Sequence, residues 1–168
     1  MLHDEEIEHL TTVLYDLYGY DFNHYARASL KRRVMRLMTI DRVPSFAELL
    51  HKVKTEPSYL PQVVQGLTVN VTEMFRDPAV FKTIRETVLP VLATHPFICI
   101  WHAGCSTGEE VYSFAMLLDE FKLLKNTNVY GTDINSKSLT TAKNGMYTLH
   151  DFKTCVDNYS QFSDPHSI

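Results

Sequence analysis

Pro96-Phe97-Ile98-Cys99-Ile100-Trp101-His102-Ala103-Gly104-Cys105-Ser106-Thr107-Gly108-Glu109-Glu110, closed further on by Val129-Tyr130-Gly131-Thr132-Asp133, is the stretch that decides the fold. Phe97 to Trp101 is a short apolar run bounded by Pro96 and a small-residue loop, the pattern of a buried strand. From Glu109 to about Lys125 the apolar residues take helical spacing, and Val129-Tyr130 begins a second strand that ends on Asp133. Strand, glycine loop, helix, strand and terminal acid form the front half of a nucleotide-binding α/β unit. The two strands are expected to be parallel neighbours with a right-handed crossover. Glycine matters in the loop because no Cβ stands between a backbone N–H and a ligand. An acid at the tip of the second strand lies outside the sheet's carboxyl edge, where it accepts hydrogen bonds from ribose hydroxyls.

The same loop selects among nucleotides. A pyrophosphate requires a bare, positive helix N-terminus. This helix opens on Glu109-Glu110, which suits the helix dipole but repels phosphate. The loop is not G-x-G-x-x-G and lacks the lysine of a P-loop, which disfavours half of a nicotinamide enzyme. A phosphate-free nucleoside carrying positive charge fits better, and S-adenosylmethionine, with its sulfonium and ammonium, is such a ligand. An ordinary βαβ turn with a capped helix remains the plainer alternative.

Composition excludes several classes. The 168 residues are 45% hydrophobic and 21% charged, ordinary for one or two small globular domains. A net charge of -4 argues against a general nucleic-acid binder. The acidic start, Met1 to Glu6, is no signal peptide, and no apolar run approaches the length of a membrane span. Cys99, Cys105 and Cys155 are odd in number and lack C-x-x-C spacing. Neither a disulfide framework nor a zinc site is expected, and a cytoplasmic location is. The eight histidines form no H-x-x-x-H pair, so no metal is expected.

Upstream, residues 68–77 have no regular period: Asn70, Thr72 and Arg76 alternate loosely with Val71, Met74 and Phe75. Such a segment reads as a structured crossing between domains, and domain junctions are common ligand sites. Asp77-Pro78 then starts a helix, with the acid as its cap and Phe81, Ile84, Val88 and Val91 as its stripe. The first 67 residues read as a small all-helical module. Asp4 is expected to cap a first helix whose face is Ile7, Leu10, Leu14 and Leu17, ended by Gly19. Asp21 is expected to cap a second, to about Ile40, with Ala26, Leu30, Val34, Leu37 and Met38 as its apolar arc. Ser45 and Glu48 form a capping box for a third, and Tyr59 to Leu67 make a fourth. Between Arg27 and Arg42 stand six basic residues and one acid, with Arg32, Arg33 and Arg36 grouped off the apolar arc. This cluster is either a solvated face or a docking surface for an acidic partner. Downstream, Asn135 or Ser136 is placed to cap a helix that Asn144-Gly145 closes. Leu149 to Asp157 leaves room for one more short helical turn before a polar end. The expected division is 1–67 helical, 68–77 interdomain and lining the site, and 78–168 α/β.

Three stretches together resemble the chemotaxis receptor methyltransferases of the CheR type. Asn70-Val71-Thr72-Glu73-Met74-Phe75-Arg76-Asp77 is similar to the family's N-x-T-x-F-F-R segment, with Met74 where an aromatic is usual. Ile100 to Ser113 resembles its glycine-loop signature, with Val111 where proline is usual. Gly131-Thr132-Asp133-Ile134, followed by Leu139, Ala142, Gly145 and Tyr147, resembles its second-strand signature, and Ser29 to Arg33 resembles its basic helix. The resemblance implies an all-helical N-terminal domain followed by a Rossmann-like domain that binds S-adenosylmethionine. It implies a cytoplasmic protein-glutamate O-methyltransferase acting on chemoreceptor cytoplasmic helices. Carried over by position, Asn70, Thr72, Arg76, Ala103, Gly104, Glu110 and Asp133 fall at cofactor contacts, with Asp133 on the ribose and Arg76 also orienting the reacting groups. Arg32, Arg33 and Arg36 fall where the receptor helices dock. Cys105 has no activating neighbour in sequence and reads as a small packing residue.

The family's catalytic domain continues past the length seen here, and a methyltransferase sheet normally has seven strands. A truncated domain with impaired turnover is therefore expected, with self-association through an unpaired sheet edge. The competing reading is a non-catalytic receptor-binding or regulatory module that keeps the basic helical domain.

Overall fold

The computed structural model describes residues 2–69 and 71–163. They form two compact units, divided between Val69 and Asn70.

The first unit is all helical: α1 Asp4–Tyr18, α2 Arg27–Ile40, α3 Phe46–Thr55, a 3-10 turn Pro57–Tyr59 and α4 Leu60–Leu67. Its core joins Ile7, Leu10 and Leu14 of α1 to Leu30, Val34 and Leu37 of α2, Leu49 and Val53 of α3, and Val63 and Leu67 of α4. Val13 is also buried, whereas Leu17, expected on this face, is 54% exposed, and in the last turn of α1 Tyr18 packs against the core instead. Gly19 ends α1 in the left-handed conformation (φ 76°), its N–H closing on the Leu14 and Tyr15 carbonyls.

Two capping expectations in this unit fail. His3 rather than Asp4 precedes α1, and Glu6 reaches back to accept the His3 N–H at 2.8 Å. Asp4 instead pairs with Lys31 at 2.8 Å, which holds its carboxyl below the usual carboxylate range. Asp21 accepts the Asn23 N–H in a local turn, and α2 starts later, after Ala26. The Ser45 cap holds, accepting the Glu48 N–H at 3.2 Å.

In the second unit α5 Pro78–Thr83, a π-helical turn Ile84–Val88 and α6 Leu89–Leu92 follow one another as a single irregular helix. The π turn carries an extra residue, so the inward stripe slips by one. Leu89 is buried, while Val88 and Val91, expected on the stripe, are exposed. Then come β1 Ile98–Ala103, α7 Glu109–Glu120, β2 Thr127–Thr132, α8 Ser136–Asn144 and α9 Leu149–Tyr159. The strands pair in parallel with Ile98 opposite Thr127 and Ala103 opposite Thr132, so both carboxyl ends finish level. Along β1 the buried residues are Ile98 and His102, with Ile100 half-buried between them. α9 runs for 11 residues where only a short turn was expected. Thr148 and Asp151 build a reciprocal capping box, and Cys155 is buried in the core of this unit.

Candidate functional site

The site is assembled where β1 and β2 end. Gly104 and Cys105 both donate their N–H to the Thr132 carbonyl, at 2.8 and 2.9 Å, which folds the loop back over the tip of β2. Gly104 takes φ 75°, and a Cβ there would meet nothing within 4 Å, so the backbone borders open space. Ser106 also takes a left-handed conformation, φ 51°, unusual for a residue with a side chain. Its N–H is held by Asp133 Oδ2 at 2.8 Å. Asp133 Oδ1 accepts the Asn135 N–H at the same distance. One carboxylate thus ties the glycine loop to the turn before α8. An ionised carboxylate offers about four acceptor positions, so two N–H donors leave room for a ligand's hydroxyls.

The two acids that open α7 have separate tasks. Glu109 is buried, and the Thr107 hydroxyl lies 2.7 Å from each of its carboxylate oxygens. Glu110 has a side chain 63% exposed, and its Oε1 lies 2.8 Å from His102 Nδ1. Tyr147 donates its hydroxyl to the Thr107 carbonyl at 2.8 Å, and Asn135 caps α8 through the Lys137 and Ser138 amides. Burial, with Glu109 nearby, raises the Tyr147 phenol above its ordinary pKa. Burial first, and the Asp133 charge next, push the Cys105 thiol up. A thiol held protonated is a poor nucleophile, which agrees with a packing role for Cys105.

Among the described residues, the buried side-chain polar atoms without a hydrogen-bond partner are His102 Nε2, Ser106 Oγ and Asn135 Nδ2. All three belong to residues at the carboxyl ends of β1 and β2 or in the loops that leave them. Buried polar atoms are normally paired, so their concentration here marks the site. The residues fit a nucleoside carrying positive charge: open backbone at Gly104, acceptor capacity at Asp133, and an exposed carboxylate at Glu110.

The segment before α5 is fixed to the same helix. Phe75 is fully buried at φ 51°, and its N–H donates to Ser113 Oγ of α7 at 2.8 Å. Thr72 is half-buried. Arg76 is exposed, with Nη1 3.3 Å from the Val71 carbonyl and Nε 4.0 Å from Asp77. Asp77 precedes α5 in a left-handed conformation without a side-chain cap bond, contrary to the expected capping role. Asn70 lies outside the described residues. In the first unit Arg32 and Arg36 are exposed, whereas Arg33 donates to the Thr68 carbonyl at 2.7 Å and lies within bonding reach of Ser29 Oγ. The basic trio is therefore not one uniform surface.

Three residues at this site have no role assigned from sequence: His102, Ser106 and Ser113. The one legible signal was His102, a polar residue on the inward alternation of an otherwise apolar strand.

Among the described residues no group of three or more His, Cys, Asp or Glu is arranged to hold a metal ion. None of the described helices is long and apolar enough to cross a membrane.

Comparison with known proteins finds relatives of both units. Residues 5–68 match the all-alpha domain of CheR methyltransferases, and residues 70–164 match their SAM binding domain. The chain is 44% identical over 156 residues to "Putative methyltransferase Cher3" of Pseudomonas putida, covering 93% of this chain and 57% of the relative. It is 34% identical over 125 residues to "Chemotaxis protein methyltransferase 1" of Pseudomonas aeruginosa, covering 68% of this chain and 46% of the relative. A "Chemotaxis protein methyltransferase" of Listeria monocytogenes is 28% identical over 151 residues, 88% of this chain and 58% of that protein. The chain spans about half the length of these curated relatives. With both domain types matched in order, the chain belongs to the CheR methyltransferase family, whose SAM-binding domain takes S-adenosylmethionine as its cofactor.

Proposed function

We propose that this chain carries the cofactor half-site and the basic receptor-facing domain of a cytoplasmic protein-glutamate O-methyltransferase that acts on chemoreceptor helices. The observation that carries the reading is the group of orphaned polar atoms at the carboxyl ends of β1 and β2, beside the Asp133 carboxylate that ties the loop and the open Gly104 backbone. S-adenosylmethionine supplies a methyl group on a sulfonium, which an ionised glutamate takes directly, leaving the thioether S-adenosylhomocysteine. Asp133 would accept the ribose hydroxyls, and the Ala103-Gly104 backbone would let the nucleoside approach closely. Glu110, whose side chain is exposed, would accept from the cationic part of the cofactor. Asn70, Thr72 and Arg76 fall where the family contacts the cofactor and would hold it from the segment before α5, with Arg76 also orienting the reacting groups. No residue has to remove a proton, because a glutamate is already ionised near neutral pH. Alignment and exclusion of water are the main demands. No Ser-His-Asp or Cys-His constellation is needed.

Arg32 and Arg36 favour the docking half of this reading, since their guanidinium groups are exposed on α2. The 168 residues alone are expected to bind cofactor weakly with little turnover, and to self-associate through the outer edges of β1 and β2. The test is methyl transfer from labelled S-adenosylmethionine to purified chemoreceptor cytoplasmic fragments, scored as base-labile methyl ester, for these 168 residues and for a full-length homologue. Labelled ester that requires receptor glutamates supports the assignment. Ester on no receptor fragment, with cofactor still bound, returns the chain to the receptor-binding or regulatory reading.

A further inference from the structure

His102 sits on β1 one residue before the cofactor loop, yet nothing in the proposed chemistry uses it. It is 6% exposed and packs its ring edge-on against Phe114 of α7 at 5.6 Å between centroids. Its Nδ1 lies 2.8 Å from Glu110 Oε1, and its Nε2 is buried with no partner. Since a carboxylate can only accept, this contact places the ring proton on Nδ1. An apolar side chain of similar size would fill the space against Phe114 without stranding a nitrogen. The imidazole therefore has a function through Nδ1, and among the described residues the group it reaches there is Glu110. Glu110 is otherwise an exposed, rotamer-rich side chain at the first turn of α7. One rigid donor from the strand beneath fixes it while leaving most of the carboxylate accessible.

We propose that His102 is a positioning residue: it orients the Glu110 carboxylate toward the cationic amino-acid end of the adenosyl ligand. This rests on the cofactor reading above. The role predicts selectivity rather than a general loss. Ligands that carry the ammonium depend on a fixed Glu110, and ligands that stop at the thioether do not.

The test is calorimetric titration of two probes, S-adenosylhomocysteine and 5′-methylthioadenosine, which shares the nucleoside and thioether but has no amino acid group. His102→Phe should weaken S-adenosylhomocysteine about tenfold, one charge-assisted hydrogen bond, and 5′-methylthioadenosine less than about twofold. His102→Asn, whose amide N–H can stand near the Nδ1 position, should recover most of the lost affinity. On a Glu110→Gln background His102→Phe should add little. Should His102→Phe fail to fold, the comparison of His102→Asn with His102→Ser carries the same selectivity. Equal loss for both probes, or no loss for either, overturns the positioning role. Wild type that binds neither probe overturns the cofactor reading itself, and this inference with it.

Discussion

Ser113→Ala is the substitution that tests the internal logic of the second unit. Ser113 is 0% exposed on α7. Its hydroxyl accepts the Phe75 N–H at 2.8 Å and donates to the Glu109 carbonyl at 2.7 Å. Alanine removes both bonds. The Glu109 carbonyl lies at the start of the α7 ladder and keeps a helical partner, so the loss there is small. The Phe75 N–H has no such reserve. It stays buried beneath a ring cluster of Phe75, Phe81, Tyr159 and Phe162, on a residue already held at φ 51°. An unsatisfied buried donor costs about 1–3 kcal/mol, which is roughly a 5- to 150-fold shift in the local opening equilibrium. Because Thr72 and Arg76 flank Phe75, the same change should loosen the segment proposed to close the cofactor site. Urea unfolding gives the global loss, and hydrogen exchange at the Phe75 amide gives the local one. Met116→Ala, on the exposed side of the same helix, serves as the control and should stay within about 0.5 kcal/mol of wild type. Ser113→Ala that matches this control in stability, with Phe75 still protected, would refute the pinning argument.

Two further outcomes follow from particular contacts. Arg32→Ala with Arg36→Ala should reduce binding to acidic receptor helices in a salt-sensitive way, since exposed charge contacts fade as the Debye length falls to about 10 Å at 0.1 M salt. Arg33→Ala should instead mainly lower the melting temperature, through the lost bond to the Thr68 carbonyl. Equal binding losses from the two variants, measured by fluorescence anisotropy at two salt concentrations, would contradict the split. The raised Tyr147 pKa makes stability pH-dependent at the alkaline end. The folded phenol stays protonated above the ordinary value of 10.0, while the unfolded chain releases its proton near that value. Its contribution is complete below pH 10 and is lost as pH rises beyond it. Tyr147→Phe should flatten part of the fall in melting temperature above pH 10, and an unchanged profile would count against it.

The fold was legible because two periodicities change over in order. Helical stripes run through residues 4–67, and a strand, glycine loop, helix and strand follow from Ile98. Errors concentrate where a local signal has two solutions. Asp4 and Asp21 are good caps, but an ion pair with Lys31 and a local turn to Asn23 compete for them. The stripe Phe81, Ile84, Val88, Val91 assumed an unbroken α-helix, and a π turn shifts it onto Leu89. The loop and Asp133 stood out because residue type and position along the chain suffice to mark them. His102 and Ser113 did not, because their meaning depends on partners at Glu110 and Phe75 that only the folded chain brings within reach. Arg33 looked like its neighbours for the same reason: its acceptor, Thr68, lies 35 residues away.

The central claim is that Asp133 and the loop it ties hold an adenosyl cofactor, and titration of S-adenosylhomocysteine into wild type, Asp133→Ala and Asp119→Ala tests it most directly. Asp119 is an exposed acid well along α7, away from the loop. Wild type and Asp119→Ala should bind one equivalent with matching affinity. Asp133→Ala should bind more weakly by roughly 5- to 150-fold, the equivalent of about 1–3 kcal/mol of lost hydrogen bonding. No saturable binding to wild type, or equal affinities for the two variants, would contradict the account.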